Sequence, residues 1–322
     1  MQDDDCLQLR KLLAQSVERN HAAALLLSGG LDSSILASIL HPSYSVTAGF
    51  GTDAPDLAYA GQVARKYSKH HVDVVFAEEK MLEMVEQVIQ VFRTFDPIEI
   101  RNSCVALAGI KQAKNDGYSK IMTGDGGDEL FAGYNYLQRY YSNLQRLEQE
   151  VVRLWEIMHF STRKLGDYIG IEVKTPFLDN EFASFAKSIS ITKKIGEHAG
   201  QRFGKFILRR CFEAELGDLA WRHKLAQEQG AGTTRYQSYI ENIIDGLTFA
   251  NGAKAAQLEG VMIRNKEHLH YYTIFRNYFQ PPKEDKENGC EFSCPECSGY
   301  IPASSRRFCR TCGAFPITPQ LL

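Results

Sequence analysis

No run in this 322-residue chain approaches the roughly 20 consecutive apolar residues that span a bilayer, so it holds no helical membrane span. The opening stretch MQDDDCLQLRKLL is acidic at once and lacks the apolar core of a cleavable leader, and a cytoplasmic location is expected. Excess charge of one sign is also lacking, since 37 Lys and Arg against 39 Asp and Glu leave a net charge of -2. No global field then draws the chain to nucleic acid or anionic lipid, and any polyanion must be gripped locally. Internal repeats and long low-complexity tracts are missing too. What is there, 44% hydrophobic and 24% charged residues in a length that buries a large core, belongs to a folded globular protein of one or two domains.

Cysteine is scattered except at the end. Cys6, Cys104, Cys211 and Cys290 stand apart, whereas Cys294, Cys297, Cys309 and Cys312 form two CxxC pairs. In a reducing compartment that clustering points to a metal rather than to disulfides. Four thiolates in two knuckles suit tetrahedral zinc and leave no coordination position open for catalysis; rubredoxin-type iron fits the same spacing. The tail is too short for a self-sufficient core, so metal binding is expected to supply its folding energy.

Along the chain, short apolar runs alternate with amphipathic segments. Residues 5–19 have helical spacing, and 22–27 (AAALLL) read as a buried strand ending in SGG. A helix over 33–40, a strand over 45–50, a helix over 56–69 and a strand over 71–76 follow. Helices over 79–95 and 103–115 and a strand over 119–123 continue the rhythm, which predicts an α/β, doubly wound parallel sheet through residue 135. From 136 to about 280 helical signals dominate, and PPKEDKENG at 281–289 reads as exposed linker. The expected organisation is an N-terminal helix (1–19), an α/β domain with a helical C-terminal part (20–282), a linker (283–289) and a small metal ribbon (290–322).

Two glycine-rich loops carry the chemistry. SGGLDSS, residues 28–34, lies between the first strand and the next helix. Gly29 and Gly30 admit a phosphate close to the backbone, Ser28, Ser33 and Ser34 offer hydroxyls, and the helix amino terminus adds free amides and partial positive charge. Each dipole contribution is only about 0.3–2 kcal/mol, so several donors and a metal must act together. Asp32 would repel phosphate unless a cation stood between them, and is therefore assigned to magnesium. TGDGGDELFAGY, residues 123–134, follows another predicted strand. Loops at the carboxyl ends of parallel strands converge on one crevice. Gly124 and Gly126 are then expected near phosphate, Asp128 as the second magnesium ligand, and Asp125 where it positions or deprotonates an incoming amine. Read singly, each string also suits an ordinary glycine turn whose Asp and Ser cap a helix.

SGGLDSS is similar to the pyrophosphatase loop of N-type ATP pyrophosphatases, and the whole set resembles the synthetase domain of glutamine-dependent asparagine synthetase and of β-lactam synthetase. Matching stretches are TDAPDLAYAGQVARKYSKHH (52–71), IRNSC (100–104), GIEVKTPFLDNEF (170–182), GKFILRRCFE (204–213), WRHKLAQEQGAGTT (221–234) and NKEHLHYYTIFRNYF (265–279). The likeness covers residues 20–282 in the family's order. It implies an ATP pyrophosphatase fold of the adenine nucleotide alpha hydrolase-like type. It also implies a carbon–nitrogen ligase that uses ATP and magnesium to adenylate a carboxylate, releases pyrophosphate and lets ammonia or another amine displace AMP. Lys224 matches the family's lysine on the reacting phosphate, and Lys205 a second basic position near pyrophosphate. Glu228, four residues beyond Lys224, is expected to orient it or to make an ordinary helical pair.

Departures from the family shape further expectations. The family's glutaminase domain has no match, so ammonia is expected from solution or from a separate glutaminase subunit. Asp125 stands where the family usually has glutamate, and residues 136–166 match poorly, which leaves the carboxylate unidentified. The tail ECSGYIPASSRRFCRTCGAF resembles a zinc ribbon. With five acidic and five basic residues over 283–322 it has no basic stripe, so structural or protein-docking roles come before nucleic-acid binding. The rival reading is a tRNA-modifying ATP pyrophosphatase, because such loops joined to CxxC ribbons also occur in tRNA sulfur-transfer proteins. Cys104 and Cys211 are its only candidate thiols between residues 20 and 282, and both read as packed cysteines. A nucleotide sensor without catalysis is a third reading, weakened by the presence of Asp32, Asp128 and Lys224 together.

Overall fold

The computed structural model describes residues 4–284, 292–302, 307–318 and 320–321. Of the linker expected over 283–289 only the first two residues are therefore described, and Cys290 lies outside the described residues.

Five strands, β1 (Ala24–Leu26), β2 (Tyr44–Phe50), β3 (His71–Phe76), β4 (Lys120–Met122) and β5 (Glu172–Lys174), make one parallel sheet in the order β3-β2-β1-β4-β5. The helices α1 (Asp4–Arg19), α2 (Leu31–Leu40), α3 (Pro55–Tyr67), α4 (Glu78–Phe92) and α5 (Pro97–Asn115) precede and connect the first four strands. Every residue of β2 is buried, as an inner strand covered on both faces requires. The pleat of β1 sends neighbours to opposite sides: Ala24 joins a core built with α4 and α5, while Leu25 joins one built with α1 and α2. This is the doubly wound architecture the alternating pattern predicts.

The chain from 136 onward is less uniformly helical than expected. β5 pairs with β4 through Ile121 and Val173 and closes the sheet edge; three residues are too few to register as a periodic pattern. A hairpin of β6 (Ile195–His198) and β7 (Gln201–Gly204) turns at Ala199 and Gly200, both with positive φ (49° and 76°), the conformation of a tight two-residue turn. The cysteine reading also needs correction. Cys6 of α1 and Cys211 form a disulfide across 205 residues, because α1 packs on the helix Phe206–Cys211 and sets their Cα atoms 5.5 Å apart.

The four tail cysteines gather with their sulfurs within 4.8 Å of one another, Cys294 to Cys312 at 3.8 Å and Cys297 to Cys309 at 3.6 Å. Zinc with Zn–S bonds of about 2.3 Å gives tetrahedral edges of about 3.8 Å, so the donor set fits that ion. The ribbon is not detached from the rest. Its cysteines, Ala314 and Ile317 share an apolar cluster with Phe95, Tyr272 and Phe275. The Phe95 amide donates to the Thr311 carbonyl at 2.8 Å, and the Met262 amide to that of Glu296 at 2.6 Å. Nearby, Arg101 of α5 meets Glu267 of the helix Lys266–Arg276 in a buried ion pair of 2.5 Å, with the Tyr271 hydroxyl donating to the same carboxylate at 3.0 Å.

Chelation of the tail metal, or Cys297→Ser, is expected to lower the melting temperature by roughly 5 °C or more, because ion binding stabilises only the folded ribbon. Indifference of the melting curve to both treatments would show that the cysteines hold no ion. Glu267→Gln should cost about 3–5 kcal/mol in denaturant unfolding by stranding the Arg101 charge, and Arg101→Met/Glu267→Leu distinctly less. Equal losses in the two proteins would contradict this.

Candidate active site

The strand order reverses between β1 and β4: the chain winds outward to β2 and β3 on one side and to β4 and β5 on the other. In open parallel sheets such a reversal opens a crevice beyond the carboxyl ends of the two strands. The loop after β1 is Ser28–Gly30 and the loop after β4 is Thr123–Gly126, so both glycine-rich motifs arrive there together. They wall a cavity of about 650 Å³, a size suited to a nucleotide and a second substrate.

Ser28, Gly30, Asp32 and Ser33 line this cavity. The Ser33 hydroxyl donates to the Gly30 carbonyl at 3.2 Å and sits 3.1 Å from the Ser28 hydroxyl. Gly30 caps α2 without a side-chain acceptor, which leaves the first-turn amides free of any side-chain partner. Two members of the motif stand back: Gly29 packs on the backbone of α3, and the buried Ser34 hydroxyl has no hydrogen-bond partner. From the second loop Gly124, Asp125, Gly126, Asp128 and Glu129 all line the cavity. Gly127 lets the two loops interlock, since a Cβ there would lie 2.4 Å from the Asp32 carboxyl carbon.

At the junction stands a cluster of alternating charges. The Lys205 ammonium lies 2.5 Å from Asp32 Oδ2 and 2.9 Å from Asp128 Oδ1, and the Lys224 ammonium 2.5 Å from Asp128 Oδ2. Lys205 is buried at the start of the helix Phe206–Cys211, fixed by its amide donating to the Phe131 carbonyl at 2.8 Å. Burial works against ionisation of Asp128, but Lys205 and Lys224 outweigh it and hold that carboxyl well below the usual carboxylate range. Burial pushes the Asp32 carboxyl up against the pull of Lys205. Asp32 Oδ1 is buried without a hydrogen-bond partner. A hard cation ligated by oxygen fits that orphaned atom and its neighbour Asp128.

Around the cluster stand Arg222 and Glu129, which the sequence does not single out, beside Asp125 and Glu228, which it does. Arg222 bonds the Gly29 carbonyl at 2.7 Å and Asp56 Oδ1 at 2.8 Å while lying 3.7 Å from the centre of the Tyr59 ring, which pins the first loop to α3. Asp125 accepts from the Thr162 hydroxyl, and burial raises its pKa. Glu129 accepts from the Tyr134 hydroxyl at 2.6 Å; burial and the Asp128 charge push it up to about 7. Glu228 is corrected. It lines the cavity from the short helix Gln227–Gly230, but residues 222–226 are not helical, so the four-residue spacing does not make it the partner of Lys224, a place taken by Asp128.

The chain is 29% identical over 309 residues to the glutamine-hydrolysing asparagine synthetase B of Escherichia coli, covering 85% of this chain and 54% of that protein. It is 29% identical over 278 residues to the glutamine-hydrolysing asparagine synthetase of Bos taurus and 28% over 278 to that of Homo sapiens, each covering 79% of this chain and 48% of the relative. The chain thus spans about half the length of the curated relatives it matches. Among solved structures, a predicted subunit of tRNA methyltransferase from Methanocaldococcus jannaschii aligns at 19% identity and a TM-score of 0.27, over 60% of this chain and 86% of that one, and at that score the likeness carries no weight. The asparagine synthase family model matches residues 8–165 and 163–288, most of the chain including both glycine loops and the two lysines, and the protein belongs to that family.

Proposed function

We propose that this protein is an AMP-forming ligase that activates a carboxylate with ATP and transfers the acyl group to ammonia or another amine. The observation that carries the reading is the convergence of Asp32 and Asp128 on the Lys205 and Lys224 ammonium groups at the strand-order reversal. In the first step a carboxylate oxygen bonds to the α-phosphorus and the α–β bridging bond breaks, its electron pair leaving on pyrophosphate. Lys205 and Lys224 supply positive charge where that anion develops, in a recess that strengthens it. Magnesium, held by Asp32 and Asp128, would neutralise further charge on the triphosphate. In the second step the amine nitrogen bonds to the acyl carbon, AMP leaves with the carbon–oxygen pair, and Asp125 takes the amine proton. The raised basicity of Asp125 favours that role.

Two features weigh against sulfur transfer to tRNA at this site. Cys104 is buried, with its thiol pushed far up by burial, and Cys211 is joined to Cys6. Ammonia would come from solution or a separate glutaminase subunit. Zinc in the ribbon would have a structural part, since Cys294, Cys297, Cys309 and Cys312 would fill its coordination with protein sulfur.

Pyrophosphate release from ATP and magnesium, measured over a panel of carboxylates with ammonia and again with tRNA, tests the reading; release only with tRNA overturns it. Lys224→Ala and Asp128→Asn should each lower turnover by about a hundred- to a thousandfold with the circular dichroism spectrum unchanged. Since a base must be deprotonated, amide formation should climb with pH along a limb displaced upward from ordinary carboxyl titration. Asp125→Asn should remove that limb and about a hundredfold of the rate. Survival of the limb in Asp125→Asn would place the base elsewhere, with Glu129 the next group to replace.

A further inference from the structure

Behind the charge cluster lies a second, smaller cavity of about 200 Å³. Asn135, Arg209, His223 and Lys224 line both cavities, so the two share a wall. Gly133, in the lining of the smaller cavity, packs directly on the cluster, since a Cβ there would lie 2.1 Å from Asp128 Oδ1 and 2.2 Å from Lys205 Cε. The cluster that faces the larger cavity is therefore one glycine away from the smaller one.

The lining of the small cavity has one sign of charge. Arg202, Arg209 and Lys224 contribute basic groups, Lys224 already paired with Asp128, and its lining includes no Asp or Glu. Arg209 is 4% exposed, yet its hydrogen bonds go only to neutral carbonyls: Nε to Gly204 at 3.0 Å, Nη1 to Ala220 at 2.6 Å and to Arg222 at 3.0 Å. It also lies 4.8 Å from the centre of the Phe203 ring. Among the described residues no carboxylate comes within ion-pair distance of Arg209. Burial lowers its pKa to about 10 against the pull of Asp32 and Asp128, so it stays charged at neutral pH. A buried guanidinium that the carboxylates of Asp32 and Asp128 answer only from beyond ion-pair distance gains from an anion seated directly against it. The mouth carries Arg202, exposed on β7, whose cross-strand neighbour is Glu197 of β6.

We propose that this cavity is a product-side anion site, which takes a compact phosphate polyanion, pyrophosphate above all, from the charge cluster after the α–β bond has broken. The assignment rests on the adenylation reading, which supplies the anion one glycine away. The cavity is too small for a whole nucleotide, and its fixed cations match a ligand that carries several negative charges in little volume. Departure of pyrophosphate on this side leaves the larger cavity free for the amine, so the two products need not leave through one opening.

The test uses the full chain with pyrophosphate and, separately, inorganic phosphate as probes. Calorimetric binding of pyrophosphate should be weakened about fivefold in Arg202→Gln and about tenfold or more in Arg202→Glu, with phosphate binding more weakly but following the same order. In steady state the inhibition constant of pyrophosphate should rise by the same factors while the KM for ATP moves less than about twofold. Pyrophosphate binding that ignores both variants, or an ATP KM that rises in step with the inhibition constant, overturns the site. Arg202-dependent pyrophosphate binding in a protein that releases none from ATP would instead sink the adenylation reading and leave the anion site standing.

Discussion

A single ammonium, that of Lys205, holds the walls of the candidate site together. It is buried between the carboxylates of Asp32 and Asp128, which belong to loops almost a hundred positions apart, and it springs from a third segment that enters by way of the β6–β7 hairpin. Three charges in so dry a place are tolerable only because they answer one another, with Lys224 adding a fourth. Displacing any of them leaves the rest unsatisfied. The loops, the hairpin and the segment 222–226 are thereby tied to a common point.

The sheet makes that point possible. Parallel strands send their carboxyl ends the same way, and β1 and β4 are neighbours at the place where the winding reverses, so their loops meet without either having to travel. Small residues do the close fitting at Gly127 and Gly133. On the outer side Arg222 clamps the first loop to Asp56 and Tyr59 of α3. The site is thus walled by helix and strand termini together with the short non-helical segment 222–226.

Much of this was legible locally. A buried apolar run ending in Ser-Gly-Gly, and a second glycine string bearing Asp128, announce strand-to-helix turns by composition alone, and parallel topology then obliges them to share a crevice. What could not be read was anything set by distant chain. Lys205 was visible as a basic residue in a matching block, but its place between two aspartates 173 and 77 residues away is a property of the fold. Arg209 stands in the same block, yet burial alone distinguishes it from Arg210, which is exposed. Glu228 misled because spacing of four implies a helix, and the chain between Arg222 and Ala226 is not one. β5 escaped notice because three residues carry no period. The pairing of Cys6 with Cys211 follows from helix packing and has no sequence signal.

The sharing of one apolar cluster by the ribbon cysteines and by Phe95, Tyr272 and Phe275 has a temporal side. Translation delivers the second CxxC knuckle after every residue it covers. Until then the corner between α4 and α5 waits on the ribosome with its aromatic rings bare, a surface that invites chaperones and neighbouring nascent chains. An ion held by the four sulfurs would seal that surface, and the supply of metal would then act as a checkpoint on maturation, far along the chain from the glycine loops that it serves.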